Sequence, residues 1–375
     1  MSTNATARAW IELDSNALRE NYARLRGAVG EGVGMIPMVK ADAYGLGLRD
    51  VVERLEPLDP AAYGVATVDE GIALRRLGVR RTVVVCSPAP PGSIPDALEA
   101  GLQLTVGSLP AARAIRDESH VLGTAADVHV EIDTGMGRAG VDWADAAEWL
   151  PRFRALLGPH LRWAGCYTHL HSADTDPESV ALQHDRFAEV LDAARPPAGV
   201  LRHVLNSSGV LRTPERAMDA VRPGIFLYGG SAGPDLPAPR PVLTLLARVV
   251  HVRDAVEGST LGYGATHRAE GPERWATLAI GYGDGLPRAL GNRGHALVRG
   301  ARAPLVGRIS MDVSVMNITG LDGVGVGDVA TLIGRDGDEE ITVDEVAAHA
   351  ATISYEVMTG FSARLPRVWR DADGP

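Results

Sequence analysis

Lys40 closes an apolar run in the stretch PMVKADAYGLG, and Tyr44 follows it by four residues. A lysine desolvated at a strand end has a lowered pKa, which suits its amine to forming an imine with a carbonyl. Further reactive groups also follow apolar runs. EIDTGMGRAG carries Glu131, Asp133, Met136 and Arg138; YTHLHSAD carries Thr168, His169, His171 and Asp174. LNSSG supplies Asn206, Ser207 and Ser208, and Arg222 leads into PGIFLYG. Backbone N–H groups around Ser207 and Gly224-Ile225, with Tyr44, could hold a phosphate. An imine-forming lysine, a phosphate cup and a group facing a ring nitrogen are what pyridoxal phosphate needs.

Each of these residues also has an ordinary reading. Lys40 could carry a structural charge, NSSG could be a turn, and Arg222 could be half of a buried ion pair. Tyr263 in GYGATH could be a strand aromatic, and Asp312 in SMDVS a turn acid. His169 and His171 share a strand face at this spacing, but no carboxylate completes a metal site there. The sequence therefore gives no metal.

Elements that would gather these groups repeat along the first two-thirds of the chain. Short apolar runs occupy 35–39, 63–66, 82–86, 103–106, 127–132, 161–167, 203–205 and 220–222. Amphipathic stretches such as VDEGIALRRLG and PESVALQHDRFAEVLDAARP lie between most of them. That alternation implies right-handed βαβ units and a parallel sheet. Eight units predict a (β/α)8 barrel, whose reactive residues collect at the C-terminal strand ends; an open doubly wound sheet fits the pattern alone as well. A first strand, AWIEL, precedes a helix capped by Asp14 or Ser15 and has no helix before it. Four prolines in 233–242 mark a linker. Beyond it the pattern is mainly β, interrupted by one helix, TVDEVAAHAATI, with a capping box of Thr342 and Glu345. The tail 371–375 reads as frayed.

The chain has 375 residues, 45% of them hydrophobic, enough for two domains. Its formal charge of −10 argues against nucleic acid or anionic membrane as partner. No apolar run approaches the roughly 20 residues of a membrane span, and the first ten residues lack a signal-peptide core. Cys86 and Cys166 are far apart and read as reduced core thiols. A cytoplasmic protein is expected.

The motifs PMVKADAYGLG, IDTGMGRAG, YTHLHSAD, LNSSG, VRPGIFLYG, LGYGATHRA, IGYGDGLPRAL, LVGRISMD and TISYEV together resemble those of the alanine racemase family, in order and over nearly the whole chain. The resemblance implies an α/β fold with an N-terminal (β/α)8 barrel over 14–238 and a mainly-β domain over 239–375. Residues 1–13 would pair with that second domain. It implies pyridoxal 5'-phosphate, alanine as substrate, and a homodimer in which the β domain completes the partner subunit's site. Lys40 would form the imine, with Tyr263 as the opposing catalytic tyrosine. Tyr44, Ser207, Gly224, Ile225 and Tyr355 would bind the cofactor phosphate, with Asn206 and His169 also contacting the cofactor. Arg222 would face the ring nitrogen, linked through His169 to the tyrosine. Arg138 and Met311 would hold the substrate carboxylate; Asp174, Tyr282, Arg288, Arg308 and Asp312 would line or support the entry.

Two positions depart from the family pattern. Glu131 stands where many members have a carbamylated lysine, and is expected to steady Arg138 directly or through water. Ser310 stands where many have cysteine. Three other activities compete: a serine or broad-specificity racemase, a related decarboxylase, and a non-catalytic pyridoxal-phosphate carrier. GYGATH and SMD argue against the decarboxylase, and a complete β domain bearing Tyr263 against the carrier.

Overall fold

The computed structural model describes residues 6–370; the expected frayed tail, 371–375, lies outside them. Among the described residues, eight parallel strands form one ring. Their spatial order is Gly34–Met35, Ala220–Arg222, Leu201–Asn206, Leu161–Tyr167, Ala126–Asp133, Gln103–Val106, Thr82–Pro88 and Ala62–Val65. A parallel bridge between Met38 and Gly64 joins the last strand to the first. The sheet is therefore a barrel and not an open doubly wound sheet. Helices such as Ser15–Val29, Leu109–Val121 and Pro177–Ala194 cover it, each beginning at an acid or serine that accepts N–H groups of the first turn. Val83, Val85, Leu104, Val128, Val130 and Leu205 are fully buried in its core.

The second sheet is built around the long strand Leu243–Ala255. It pairs antiparallel with Ala9–Asp14, Glu273–Leu278 and Val329–Asp336. Ala9–Asp14 also runs parallel to Arg367–Arg370, so chain segments far apart in sequence share one sheet. Asn21, buried on the first helix, ties the linker to the barrel: it donates to Arg240 O at 2.8 Å and accepts from Arg240 N at 2.8 Å. This satisfies a buried amide that would otherwise be costly.

Three details differ from the sequence reading. The run 35–39 is a strand only at Gly34–Met35, and Lys40 opens a turn instead of ending a strand. The capping box at Thr342 is half formed: its hydroxyl accepts Glu345 N at 3.0 Å, but the Glu345 carboxylate pairs with Arg302. A second helix, Ser354–Thr359, follows the expected one; six residues are too few for a periodic signal.

The Lys40 turn has unusual backbone geometry. Ala41, Asp42, Ala43 and Tyr44 have φ of 52°, 54°, 52° and 57°. Left-handed helical conformation costs roughly 1–2 kcal/mol per L-residue, so the surroundings must hold it. Glu70 does part of this. One carboxylate oxygen accepts Ala41 N at 2.6 Å; the other accepts Ala66 N and Thr67 N at 2.8 and 3.1 Å, closing the cap of helix Val68–Arg76. Asp42 accepts Leu48 N at 2.7 Å, and Arg367 donates twice to Gly45 O.

Gly45 has φ +80°, and a Cβ there would lie 2.2 Å from Met358 O. Gly78 has a similar φ of +87° with nothing within 4 Å. Gly45→Ala is expected to lower unfolding free energy by at least ~2 kcal/mol, and Gly78→Ala by only about 1 kcal/mol. Urea unfolding midpoints measure the difference; equal losses would show that the Met358 contact is not limiting.

Candidate active site

The C-terminal strand ends surround a cavity of about 320 Å³. Its wall includes Lys40, Tyr44, Glu131, Arg138, His169, Asn206, Ser207, Arg222, Gly224, Ile225 and Tyr355. The fold thus brings together eleven residues singled out from sequence. Asp174 is in the adjoining cleft, which shares His169, Asn206 and Tyr355 with the cavity. Tyr263, Tyr282, Arg288, Arg308, Met311 and Asp312 do not line the cavity of this chain.

Arg222 is the buried charge at the centre of the site. Its Nη1 donates to His203 Nδ1 at 2.9 Å and His203 O at 2.7 Å. Its Nη2 donates to Thr168 O at 2.7 Å and Val204 O at 3.1 Å, with His169 Nδ1 3.5 Å away. The guanidinium also sits 4.9 Å from the Tyr167 ring centroid. Its Nε makes no hydrogen bond to a described residue.

Arginine has no acceptor, so the contact at His203 Nδ1 assigns that ring's tautomer. Nδ1 accepts, and Nε2–H donates to His129 Nδ1 at 2.8 Å. His129 Nε2–H then donates to Gln103 Oε1 at 2.7 Å. Both rings must be neutral. Burial, then the positive charge of Arg222, lowers His203 well below its ordinary value of 6.5 and His129 to about 3. His169 is likewise pushed down to about 3 by burial, Arg222, Arg138 and Lys40.

Sequence reasoning passed over Gln103, His129, Tyr167 and His203. A signal was present: side chains two apart on a strand share a face, which pairs His129 with Glu131. Parallel register sets Glu131 beside Tyr167, and Tyr167 beside His203. The position of Cys86 differs from its reading as a core thiol. It is half-buried in the cavity wall, with burial pushing its thiol up to about 11, while Cys166 is buried.

Lys40 is open to solvent in the cleft of the single chain, yet protein packs around it closely enough to lower its pKa below the ordinary 10.5. Burial is the main cause; Arg138 and Arg222 add to it, while Cys86 and Glu70 oppose. Tyr44 stacks on Tyr228 at 4.7 Å between centroids. A Cβ on Gly224 would lie 2.2 Å from Tyr44 Oη, so the glycine admits that hydroxyl to the backbone. Gly224 N donates to Ser207 Oγ at 2.9 Å, and Asn206 caps helix Ser207–Arg212 through Gly209 N at 2.9 Å. The first N–H groups of that helix and of the turn Ile225–Tyr228 lie beside them. Burial pushes the Tyr355 phenol up to about 12.

Glu131 is buried, and its Oε2 has no hydrogen-bond partner among the described residues. Burial raises its pKa, against Arg222, Tyr167 and Arg138. Among the described residues it makes no ion pair with Arg138, so direct contact is not made. His169 and His171 have separate partners. His169 faces the Arg222 guanidinium, and His171 Nδ1 bonds Ser172 Oγ at 2.7 Å.

The remaining residues form a second cluster on the β domain. Tyr263, Tyr282 and Met311 are 69%, 42% and 52% exposed, unusual for large side chains. Asp284, fully buried, fixes the turn beneath them: it accepts Gly281 N at 3.0 Å and pairs with Arg8 and Arg364. Tyr282 N and Gly283 N donate to Ser310 O and Met311 O, which holds Met311 beside Tyr282. Asp312 pairs with Arg364 at 2.6 Å. Arg308 lies against the Tyr263 turn, its Nη1 3.1 Å from where a Cβ of Gly264 would be.

His129 and His203 set an acid limit on stability. Their folded-state pKa values lie below the unfolded value, so unfolding takes up protons below about pH 6.5. Stability should be full above that pH and fall towards pH 3, by about 1.4 kcal/mol per pH unit for each ring. In urea unfolding followed between pH 7 and 4, His129→Gln should give a slope shallower by about one proton than wild type. Parallel slopes would mean that His129 is already charged in the fold.

Comparison with known proteins gives matches over the whole described fold. Residues 13–232 match the family model for the alanine racemase N-terminal domain, and 242–369 that for its C-terminal domain. An alanine racemase of Symbiobacterium thermophilum is 38% identical over 368 residues, covering 96% of each chain. One from Syntrophobacter fumaroxidans is 36% identical over 357 residues, covering 94% of each. Among solved structures, alanine racemase from Streptomyces coelicolor A3(2) superposes with a TM-score of 0.90 at 32% identity, covering 98% of this chain and 99% of that one. The Bacillus anthracis enzyme with bound L-Ala-P gives 0.90 at 32% identity, covering 98% and 96%.

Proposed function

We infer that this chain, which belongs to the alanine racemase family, interconverts L-alanine and D-alanine. We propose that it does so with Lys40 and Tyr263 as bases on opposite faces of the substrate. The observation that carries this reading is the cavity itself, which puts a lysine of lowered pKa beside a buried arginine with an unpaired Nε.

That cavity fits pyridoxal phosphate. Tyr44 Oη, the Ser207 hydroxyl and the Ile225 N–H would form a cup for a phosphate, with the Gly224 N–H bonded to Ser207 Oγ behind them and Asn206 and Tyr355 at its edge. Arg222 Nε would meet the pyridine nitrogen. Pyridoxal phosphate, when bound, supplies an imine and an electron sink that acidifies the α-proton. Arg222 stays charged and cannot accept a proton, so it would hold the ring nitrogen unprotonated and moderate that sink.

Racemisation removes the α-proton from one face and returns one to the other. Lys40 Nζ is assigned to one face, a role that its place in the cavity wall and its lowered pKa, which favours the neutral amine a base requires, both support. Family membership supports assigning it the proton of D-alanine and Tyr263 that of L-alanine. A phenol has a pKa of about 10, so a phenolate base near neutral pH needs cationic neighbours. The His169–Arg222 pair at the cavity wall offers that field to a tyrosine arriving from outside the chain. In this reading the exposed cluster bearing Tyr263, Tyr282, Arg288, Arg308, Met311 and Asp312 docks over the partner's cavity in a homodimer. The division of the chain near 239 serves that exchange. Arg138 and Met311 would hold the substrate carboxylate, with Asp174 at the entry. The same membership supports reading it as a cytoplasmic homodimer that supplies D-alanine for cell-wall synthesis. Among the described residues no helix is long and apolar enough to cross a membrane.

Incubating each alanine enantiomer with the holoprotein in heavy water tests the assignment. Wild type should form the opposite enantiomer with α-deuterium, with L-serine alongside to set the substrate range. Tyr263→Phe should keep its cofactor absorbance, lose racemisation by at least ~100-fold, and retain deuterium exchange into D-alanine only. Undiminished racemisation in Tyr263→Phe would overturn the two-base reading.

Glu131 is proposed to steady Arg138 through water, without a carbamate. Glu131→Gln removes the charge at nearly constant volume. It should raise KM for alanine ~10-fold with a smaller change in kcat, since the loss falls on carboxylate binding. Wild-type activity should not respond to added bicarbonate; a bicarbonate-dependent rate would show that another anion serves.

A further inference from the structure

We propose that His295, Glu345 and His349 in the β domain form a binding site for a divalent transition-metal ion of the zinc class. His295 opens strand His295–Val298, while Glu345 and His349 stand on helix Val343–His349. Four residues apart on a helix, the latter two share one face, and that face meets the start of the strand. One ligand atom from each of the three lies within 4.8 Å of the other two. The two imidazole rings are 5.8 Å apart between centroids at an interplanar angle of 50°, tilted towards one another and not stacked.

One observation separates this cluster from chance packing. His295 Nδ1 is buried and has no hydrogen-bond partner among the described residues, an arrangement that is costly for an imidazole nitrogen. An ion in the cluster would satisfy it.

Arg302 is the group that could compete. Its Nη1 pairs with Glu345 Oε1, and Nη2 donates to Glu340 O at 2.7 Å and, at the longer distance of 3.5 Å, to Oε2, which keeps a second lone pair. Arg302 Nε also meets Glu339 at 3.3 Å. The guanidinium charge is therefore shared with a second carboxylate, and Oε2 keeps an acceptor site for a cation.

Two imidazoles and one carboxylate select against calcium and magnesium, which take oxygen ligands, and suit zinc, cobalt or nickel. Bonds of ~2.0–2.1 Å around a tetrahedral ion set its ligand atoms ~3.4 Å apart, within reach of small side-chain rotations here. Water would complete the fourth position. None of the three residues lines the cavity holding Lys40. Their helix nonetheless carries Asp344 in its first turn, whose carboxylate accepts Ser231 N at 3.2 and 3.1 Å, and it packs on helix Ser354–Thr359, which carries Tyr355. An ion clamping strand to helix would brace that side of the site without entering the reaction.

The test is calorimetric titration of untagged, EDTA-treated holoprotein with zinc chloride, using wild type, His349→Ala and His295→Gln. One zinc per chain is expected in wild type, with a rise in Tm. Affinity should fall at least ~10-fold in each variant, while alanine racemisation without zinc stays unchanged in His349→Ala. Cobalt titration should give the visible absorption of a four-coordinate ion in wild type and lose it in both variants. Absence of saturable binding, or unchanged affinity in either folded variant, would overturn the site. If His295→Gln does not fold, His349→Ala, which alters a half-exposed side chain, decides the matter alone.

Discussion

A guanidinium buried inside a barrel must be met on every side, and the residues that meet Arg222 make up much of the site. Three backbone carbonyls, one imidazole and one aromatic face surround it. An unpaired charge in such a place costs several kcal/mol, so these contacts are a condition of folding. They also order their neighbours. A group with donors alone dictates which nitrogen of His203 accepts, which in turn dictates the tautomer of His129 and the bond to Gln103. The same charge, together with burial, keeps all three nearby imidazoles neutral. One residue thereby fixes protonation states across several strands of the barrel.

Lys40 depends on a different constraint. Its turn occupies a backbone region unfavourable to alanine, aspartate and tyrosine, and is held there from three directions. Glu70 reaches it from a helix cap, Arg367 from the β domain, and Met358 O packs where a side chain at Gly45 would be. The result is an amine held at the cavity wall by rigid surroundings, with Tyr44 carried to the same wall by the same turn. The strain is local, while the support comes from both halves of the chain.

The β domain presents large exposed side chains on a turn that is itself firmly built over Asp284. Rigid support beneath an exposed tyrosine and methionine suits a surface made to meet something. The proposed dimer gives it that role, because Tyr263, the proposed second base, does not line the cavity of its own chain. Shared sites of this kind make activity depend on association as well as on folding.

Much of the barrel was legible from eight apolar runs separated by amphipathic stretches, since burial on both faces of a parallel strand leaves a continuous apolar signature. Lys40, Arg138, His169, Ser207 and Arg222 were legible because reactive groups that follow apolar runs stand out against them. The left-handed turn was not, because its support comes from Glu70, Met358 and Arg367, distant in sequence. Nor was the histidine chain: His129 and His203 are 74 residues apart and become partners only through parallel register. The meeting of His295 with Glu345 and His349 likewise needs a strand and a helix from separate parts of the β domain. Sequence by itself determined which residues could do chemistry and the alternation that buries or exposes them, since both are local properties of the chain. Tertiary structure decided tautomers, charge states and the geometry of Lys40, because these are set by desolvation and by donors and acceptors that only folding brings within a few ångströms.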